Sequence, residues 1–275
     1  MTRLCNERAR LVSNDRVGPG LYLAVLEAPR ISRMIAPGQF VHARIPGMEG
    51  HILRRPFSVY AHDCEAATID ILYQDVGFGS HHFAGMDDSR SADEPFELIG
   101  PVGNTWSAYE RVIAGEKPTL LLVGGGVGAA PLFMLAEQLE AAQASFDVII
   151  GAQTKDALVT RGRYEALIDR EPFCSTDDGT YGRAGFCTSL VEERLEQGCS
   201  LTGERFDAVA VCGPPPLMKI VAGMAAEAGV ACDVSLERRM ACGVGACLSC
   251  VVDTVDGKKR ACVDGPIFDA RKVVW

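Results

Sequence analysis

The chain has 275 residues, 48% hydrophobic and 23% charged, with a net charge of −9. At roughly 100–200 residues per domain that length suits two domains and a small third, and the composition excludes disordered, collagen-like and coiled-coil chains. The acidic balance excludes a general nucleic-acid or anionic-membrane surface.

Met1–Arg10 is charged with no apolar run behind it, so no secretory signal is expected and the expected compartment is the cytoplasm. The first hundred residues read as short strands. Leu21–Leu26, Phe40–Ile45 and Thr68–Tyr73 are apolar runs separated by Gly/Pro punctuation, which predicts a small antiparallel barrel. Asp87–Pro95 is polar and predicted as a surface loop, and His81-His82 lacks metal spacing and is expected to face solvent. From about Lys117 the rhythm changes. Strands are expected at Leu120–Val123, Phe146–Ile150 and Ala208–Val211, and helices at Val127–Gln143, Tyr164–Ile168, Phe186–Gln197 and Pro215–Ala228. This alternation predicts a doubly wound parallel sheet. Thr119–Ala136 is apolar, but its four glycines and a proline suit a strand, a turn and a helix better than a membrane span. After Ser235 comes a Cys- and Gly-rich tail with two possible strands.

Five motifs carry chemistry. In Arg54-Arg55-Pro56-Phe57-Ser58 an arginine suits a diphosphate, an aromatic suits packing on a flat ring, and a hydroxyl suits a ring heteroatom; the rival is a strand with an exposed arginine. Gly124-Gly125-Gly126-Val127-Gly128-Ala129-Ala130-Pro131 satisfies G-x-G-x-x-A between strand and helix, so Gly124, Gly126 and Gly128 are candidate contacts to a dinucleotide pyrophosphate; a Gly-rich turn without ligand is the rival. Asp177 and Asp178, after a predicted strand, would repel a 2′-phosphate and so favour NADH over NADPH, with Arg183 just beyond them. Cys212-Gly213-Pro214-Pro215-Pro216 ends a parallel strand, where open α/β sheets bind ligands; as a free cysteine Cys212 could equally be a buried apolar residue.

The fifth motif is the most specific. Of eleven cysteines, seven are scattered (Cys5, Cys64, Cys174, Cys187, Cys199, Cys212, Cys232), and four stand as C-x4-C-x2-C-x11-C: Cys242, Cys247, Cys250 and Cys262. An odd count does not suit a disulfide scaffold. Four thiolates in a loop opened by Gly243 and Gly245 suit a [2Fe–2S] cluster; the rival is structural zinc, which usually shows two C-x2-C knuckles.

In this order, RPFS, Gly77-Phe78-Gly79-Ser80, Gly100–Asn104 (GPVGN), GGGVGAAP, CGPPP and the cysteine tail resemble the ferredoxin-reductase superfamily. They are most similar to the electron-transfer subunits of class 1B dihydroorotate dehydrogenase, the PyrK family. The resemblance spans nearly the whole chain, and its most specific parts are Glu237–Cys250 and Arg260–Phe268. It implies an α/β chain with an added β unit: an FAD-binding antiparallel barrel (1–110), a doubly wound NAD-binding domain (111–235) and a small [2Fe–2S] domain (236–275). By the same resemblance Arg55, Pro56, Phe57, Ser58, Leu72, Tyr73, Gln74, Gly79 and Ser80 would bind FAD, and Cys212 would be the catalytic residue at the nicotinamide–flavin contact. Gln74 and Ser80 stand where the family often has arginine and threonine. The implied function is an electron relay joining NAD(H), FAD and the cluster to the FMN of a separate dihydroorotate-oxidising subunit. It would serve pyrimidine biosynthesis in a heterotetramer with two copies of each subunit. Two alternatives stay open: a similar reductase subunit for a sulfhydrogenase, sulfite reductase or oxygenase, and a zinc-stabilised binding module.

Overall fold

The computed structural model describes residues 4–87 and 94–275, so most of the Asp87–Pro95 loop expectation lies outside the described residues. The N-terminal unit is one antiparallel sheet of seven strands: β1 (Cys5–Gly18), β2 (Leu21–Glu27), β3 (Phe40–Arg44), β4 (Arg55–Ser58), β5 (Ala61–Asp63), β6 (Thr68–Gln74) and β7 (Phe96–Val102), in the order β4-β3-β7-β1-β2-β6-β5. β1 organises it. Its first half alternates strictly, with Cys5, Glu7, Ala9 and Leu11 inward, and pairs with β7; its second half pairs with β2 after a register shift between Leu11 and Ser13. Such a bulge bends a strand and lets one sheet curl around a core, here Leu11, Leu26, Ile31, Val41, Ile69, Ile71, Phe83, Phe96 and Leu98. The inward Glu7 is satisfied by the backbone N–H groups of Arg30 and Ile31, both at 2.8 Å.

The expected barrel is therefore a curled sheet that does not close. Its edge strands β4 and β5 are not paired with each other among the described residues. They have four and three residues and follow one another directly through Val59-Tyr60, so the chain itself bridges the gap that a ladder would otherwise seal. A short helix α1 (Phe78–Ala84) covers one end, and a second, α2 (Ser107–Ile113), leads out of the sheet. His81 faces solvent as expected, but His82 is half-buried, with Nε2 2.9 Å from the Pro46 carbonyl.

The second unit is the doubly wound sheet. β8 (Leu120–Gly125), β9 (Phe146–Ala152), β10 (Phe173–Thr176), β11 (Arg183–Ala184), β12 (Ala208–Cys212) and β13 (Ala231–Ser235) run parallel in the order β11-β10-β9-β8-β12-β13. Leu121, Val123, Ile149, Val209 and Val211 line one face and Leu120, Leu122, Val148, Ile150 and Ala210 the other. Both faces are buried, as parallel strands require. The strand order reverses between β8 and β12, which makes that point the topological switch of the sheet.

The helices are α3 (Phe133–Ala141), α4 (Arg161–Ile168), α5 (Thr188–Gln197) and α6 (Pro215–Glu227). The helix expected over Val127–Gln143 begins as a 3-10 turn, Gly126–Leu132, and becomes α-helical only at Phe133. Pro131 has no N–H to give, and the left-handed Gly126 (φ 57°) sets the entry. The tail adds three strands rather than two. β14 (Val251–Thr254) and β15 (Gly257–Arg260) form a hairpin, while β16 (Ile267–Asp269) joins the parallel sheet antiparallel to β13. Among the described residues no helix is long and apolar enough to cross a membrane.

Candidate functional site

At the switch point the ends of β8 and β12 touch through glycines. A Cβ on Gly124 would stand 2.5 Å from Ala129, one on Gly125 2.4 Å from the Leu217 side chain, and one on Gly128 2.6 Å from the Cys212 carbonyl oxygen. Gly124 and Gly128 are buried and are thus needed for strand–turn–strand packing. Gly126 alone of the three candidates is exposed, with open space where its side chain would be, so it is the one placed to meet a ligand.

The RPFS motif is β4, an edge strand whose four residues are all half-buried. The Arg55 side chain lies on Gly79, where a Cβ would be 2.5 Å from Nε, so the two motifs form one surface. The other expected FAD residues divide by role. Ser80 Oγ accepts from the N–H groups of Val76 (2.9 Å) and Gly77 (3.0 Å) and closes the turn into α1. Leu72 and Tyr73 are buried and Gln74 is exposed. Tyr73 stacks on Phe83 at 4.5 Å, meets Phe57 edge-on at 5.8 Å and donates its hydroxyl to Asn14 Oδ1 at 2.9 Å. Burial raises its phenol above the ordinary range. A half-exposed polar strand backed by aromatic side chains, with an arginine over a glycine, fits a flat ring and a diphosphate.

Cys212, the last residue of β12, is 1% exposed, its thiol pushed well up by burial and secondarily by the charge of Glu237. It is a neutral, water-excluding group. Glu237 is the residue that sequence reasoning missed: it opens the cysteine tail, and Ser58 Oγ donates to its Oε1 at 3.5 Å. It is open to solvent on one side yet surrounded by protein, and that burial pushes its carboxyl above the usual glutamate range. The only sequence signal was its place at the head of a Cys-rich segment.

Asp177 and Asp178 are exposed at the carboxyl end of β10. Asp178 accepts from Thr180 Oγ1 (2.7 Å) and N–H (3.0 Å), and these bonds hold its carboxyl below the usual range. Arg183 turns away to pair with Glu193.

The four tail cysteines fall into two pairs. Cys250 and Cys262 are buried with sulfurs 3.3 Å apart; Cys247 is exposed and within hydrogen-bonding reach of Cys242 and of Ser249 Oγ (3.2 Å). Ser249 chiefly brings the Cys247 thiol down to about 6, whereas burial lifts Cys262 to about 12. Among the described residues no three side chains yet converge on a single metal position. Two pairs, however, suit a centre of two irons better than one tetrahedral zinc. Gly243 (φ 69°) and Gly245 (φ 82°) take left-handed conformations, and the Val244 N–H points at Cys242 Sγ from 3.5 Å. The loop thus has the turned-in backbone that cluster sulfurs require.

Residues 237–274 match the iron-sulfur cluster binding domain of dihydroorotate dehydrogenase B, and 122–223 match the oxidoreductase NAD-binding domain. The dihydroorotate dehydrogenase B (NAD(+)) electron transfer subunit of Desulforamulus reducens is 32% identical over 271 residues, 97% of each chain. The chain belongs to that family of electron transfer subunits. The member from Bacillus caldolyticus is 34% identical over 98% of each chain. Among solved structures, a chain of an NADH-dependent reduced ferredoxin-NADP oxidoreductase matches with a TM-score of 0.82 and 28% identity, over 98% of this chain and 90% of that one. A ferredoxin NADP+ reductase from Neisseria gonorrhoeae with bound FAD and NADP shares the fold at a TM-score of 0.64 and 20% identity, over 83% of this chain and 93% of that one. The electron transfer subunit family thus accounts for the nucleotide sheet, the cysteine tail and the reductase fold together.

Proposed function

We propose that this chain carries electrons between NAD(H) and the FMN of a separate dihydroorotate dehydrogenase catalytic subunit, using its own FAD and [2Fe–2S] cluster. The setting is pyrimidine biosynthesis in the cytoplasm, in an assembly with two copies of each subunit. The observation that carries this reading is that Glu237 of the cysteine tail links the other two units, accepting from Ser58 Oγ of β4 while its charge reaches Cys212 of the parallel sheet. When bound, FAD exchanges electron pairs with a nicotinamide and the cluster exchanges single electrons, so the two together convert one into the other.

The residues of the chain supply position and selectivity. Arg55 holds a diphosphate over Gly79, Pro56 and Phe57 wall the ring against Tyr73, and Ser58 offers its hydroxyl. Leu72, Gln74 and Ser80 shape the edge of that surface. Gly126 admits the NAD pyrophosphate to the turn before α3, Asp177 and Asp178 disfavour a 2′-phosphate, and Cys212 keeps water from the nicotinamide. Cys242, Cys247, Cys250 and Cys262 would hold the cluster through their four thiolates. The units 1–110, 111–235 and 236–275 correspond to these three tasks.

Purified protein is expected to contain FAD together with iron and acid-labile sulfide in the amounts of one [2Fe–2S] centre, and to give a rhombic EPR signal on reduction with NADH. Stoichiometric zinc without sulfide would overturn it. Comparable kcat/KM for NADH and NADPH would remove the role given to the two aspartates. A second reading, the same relay serving a different partner, is favoured by the full-length likeness to the ferredoxin-NADP oxidoreductase chain. Co-purification with a flavin-bearing dihydroorotate dehydrogenase subunit decides against it.

A further inference from the structure

His42 is not used by the function just described, and its surroundings are unusual. It stands in the middle of β3, opposite Pro56 of β4 on one side and Ile99 of β7 on the other. It is fully buried, and neither Nδ1 nor Nε2 has a hydrogen-bond partner. A buried polar group without a partner destabilises a fold, and an apolar side chain of similar volume would fill the place without that cost. The ring lies against Gly243, where a Cβ would come 2.5 Å from Nδ1 and 3.0 Å from Cγ. The nearest hydrogen-bonding groups are backbone groups of Arg54 and Cys242, but neither meets the ring in hydrogen-bond geometry. His42 therefore occupies the seam between the strand that carries Arg55–Ser58 and the loop that carries the first of the four thiols.

We propose that His42 is a positioning residue for the iron–sulfur centre, donating its ring N–H to sulfur at the Cys242 corner. This rests on the cluster assignment made above. The acceptor is a thiolate or a bridging sulfide; both are sulfur anions, and an N–H directed at either favours the more negative, reduced cluster and raises its potential. Gly243 then serves twice, supplying the left-handed turn and leaving room for the ring.

The test is an EPR-monitored redox titration of the holoprotein and of its His42→Leu and His42→Gln variants. His42→Leu is expected to reduce less readily by about tenfold in the equilibrium constant, about 59 mV for a one-electron couple. His42→Gln, which keeps an N–H donor, is expected to recover most of that shift. Wild-type protein grown with 15N-histidine gives a readout that needs no stable leucine variant: pulsed EPR of the reduced cluster should show a nitrogen coupling that His42→Gln abolishes. Equal potentials in all three proteins, or no histidine coupling in a protein whose iron and sulfide are complete, overturns the role of His42. Iron and sulfide analysis of the wild type comes first. If it shows no cluster, the cluster assignment itself fails, and this inference with it.

Discussion

Cys212 and Glu237 show how two ordinary side chains acquire roles from their surroundings. Cys212 is sealed at the end of β12 with its thiol neutral, so it contributes shape and dryness rather than nucleophilicity. Cys212→Ala should slow flavin reduction by NADH in stopped-flow measurements while leaving FAD content intact; an unchanged rate would make it a packing residue only. Glu237 holds its proton above the ordinary glutamate range because of burial. As pH rises through that raised value the carboxyl becomes negative beside Ser58, and negative charge there opposes arrival of a hydride. Flavin reduction should therefore slow with rising pH across this window, and Glu237→Gln should flatten the profile. A wild-type profile that is already flat would remove Glu237 from the reaction.

At the scale of elements, the parallel sheet is pinned by a buried charge. Asp147, fully buried on β9, accepts from Arg194 at 2.9 Å, from Arg170 at 3.2 Å and from the Leu201 N–H at 3.2 Å. Arg194, itself 5% exposed, also lies over the ring of Phe173. Breaking a buried pair by removing one partner strands the other charge. Asp147→Ala should thus cost about 3–5 kcal/mol in denaturant unfolding, and a loss within experimental error would mean that water reaches Arg194. The tail is anchored differently at its two ends. Asn104 accepts from the Ile267 N–H at 3.0 Å and donates to the Ile267 carbonyl at 2.9 Å, and β16 is laddered to β13. The cysteine loop has no such ladder, and a metal centre there acts as folding energy. Removing iron by chelation should accelerate hydrogen exchange over residues 240–250 and leave 267–269 protected. Uniform acceleration along the tail would show that it is a single cooperative unit.

On the scale of the whole molecule, the tail presents an exposed Cys247 and three exposed apolar side chains: Val244, Leu248 and Val263 are 48%, 63% and 46% exposed. Exposed apolar side chains suit contact with another protein, and the proposed relay needs an electron acceptor outside this chain. Isolated protein should reduce artificial acceptors with NADH yet not oxidise dihydroorotate. Adding the FMN-bearing catalytic subunit should restore dihydroorotate:NAD+ turnover, and Cys247→Ser should abolish it, whereas substitution of the remote, exposed Cys64 should not. Full turnover by this chain alone would overturn the relay.

What could be read along the chain was local. The alternation of β1–β2–β6 runs, the strand–turn–helix at Gly124–Pro131 and the spacing of Cys242, Cys247, Cys250 and Cys262 are short-range patterns, because strand pleat, glycine conformation and loop closure over a cluster all act within a few residues. Those patterns carried the fold class and the family resemblance. The rest depended on which distant segments meet. Gly124, Gly126 and Gly128 look alike in the sequence, yet packing against Ala129 and the Cys212 carbonyl buries two and leaves one open. Nothing adjacent to Glu237 announces Ser58, 179 residues away in the chain. Nor does anything beside His42 announce Gly243. Those contacts join the tail to β3 and β4, while β16 ladders the tail to the parallel sheet, so the electrostatics and hydrogen bonding of the site are set by tertiary packing.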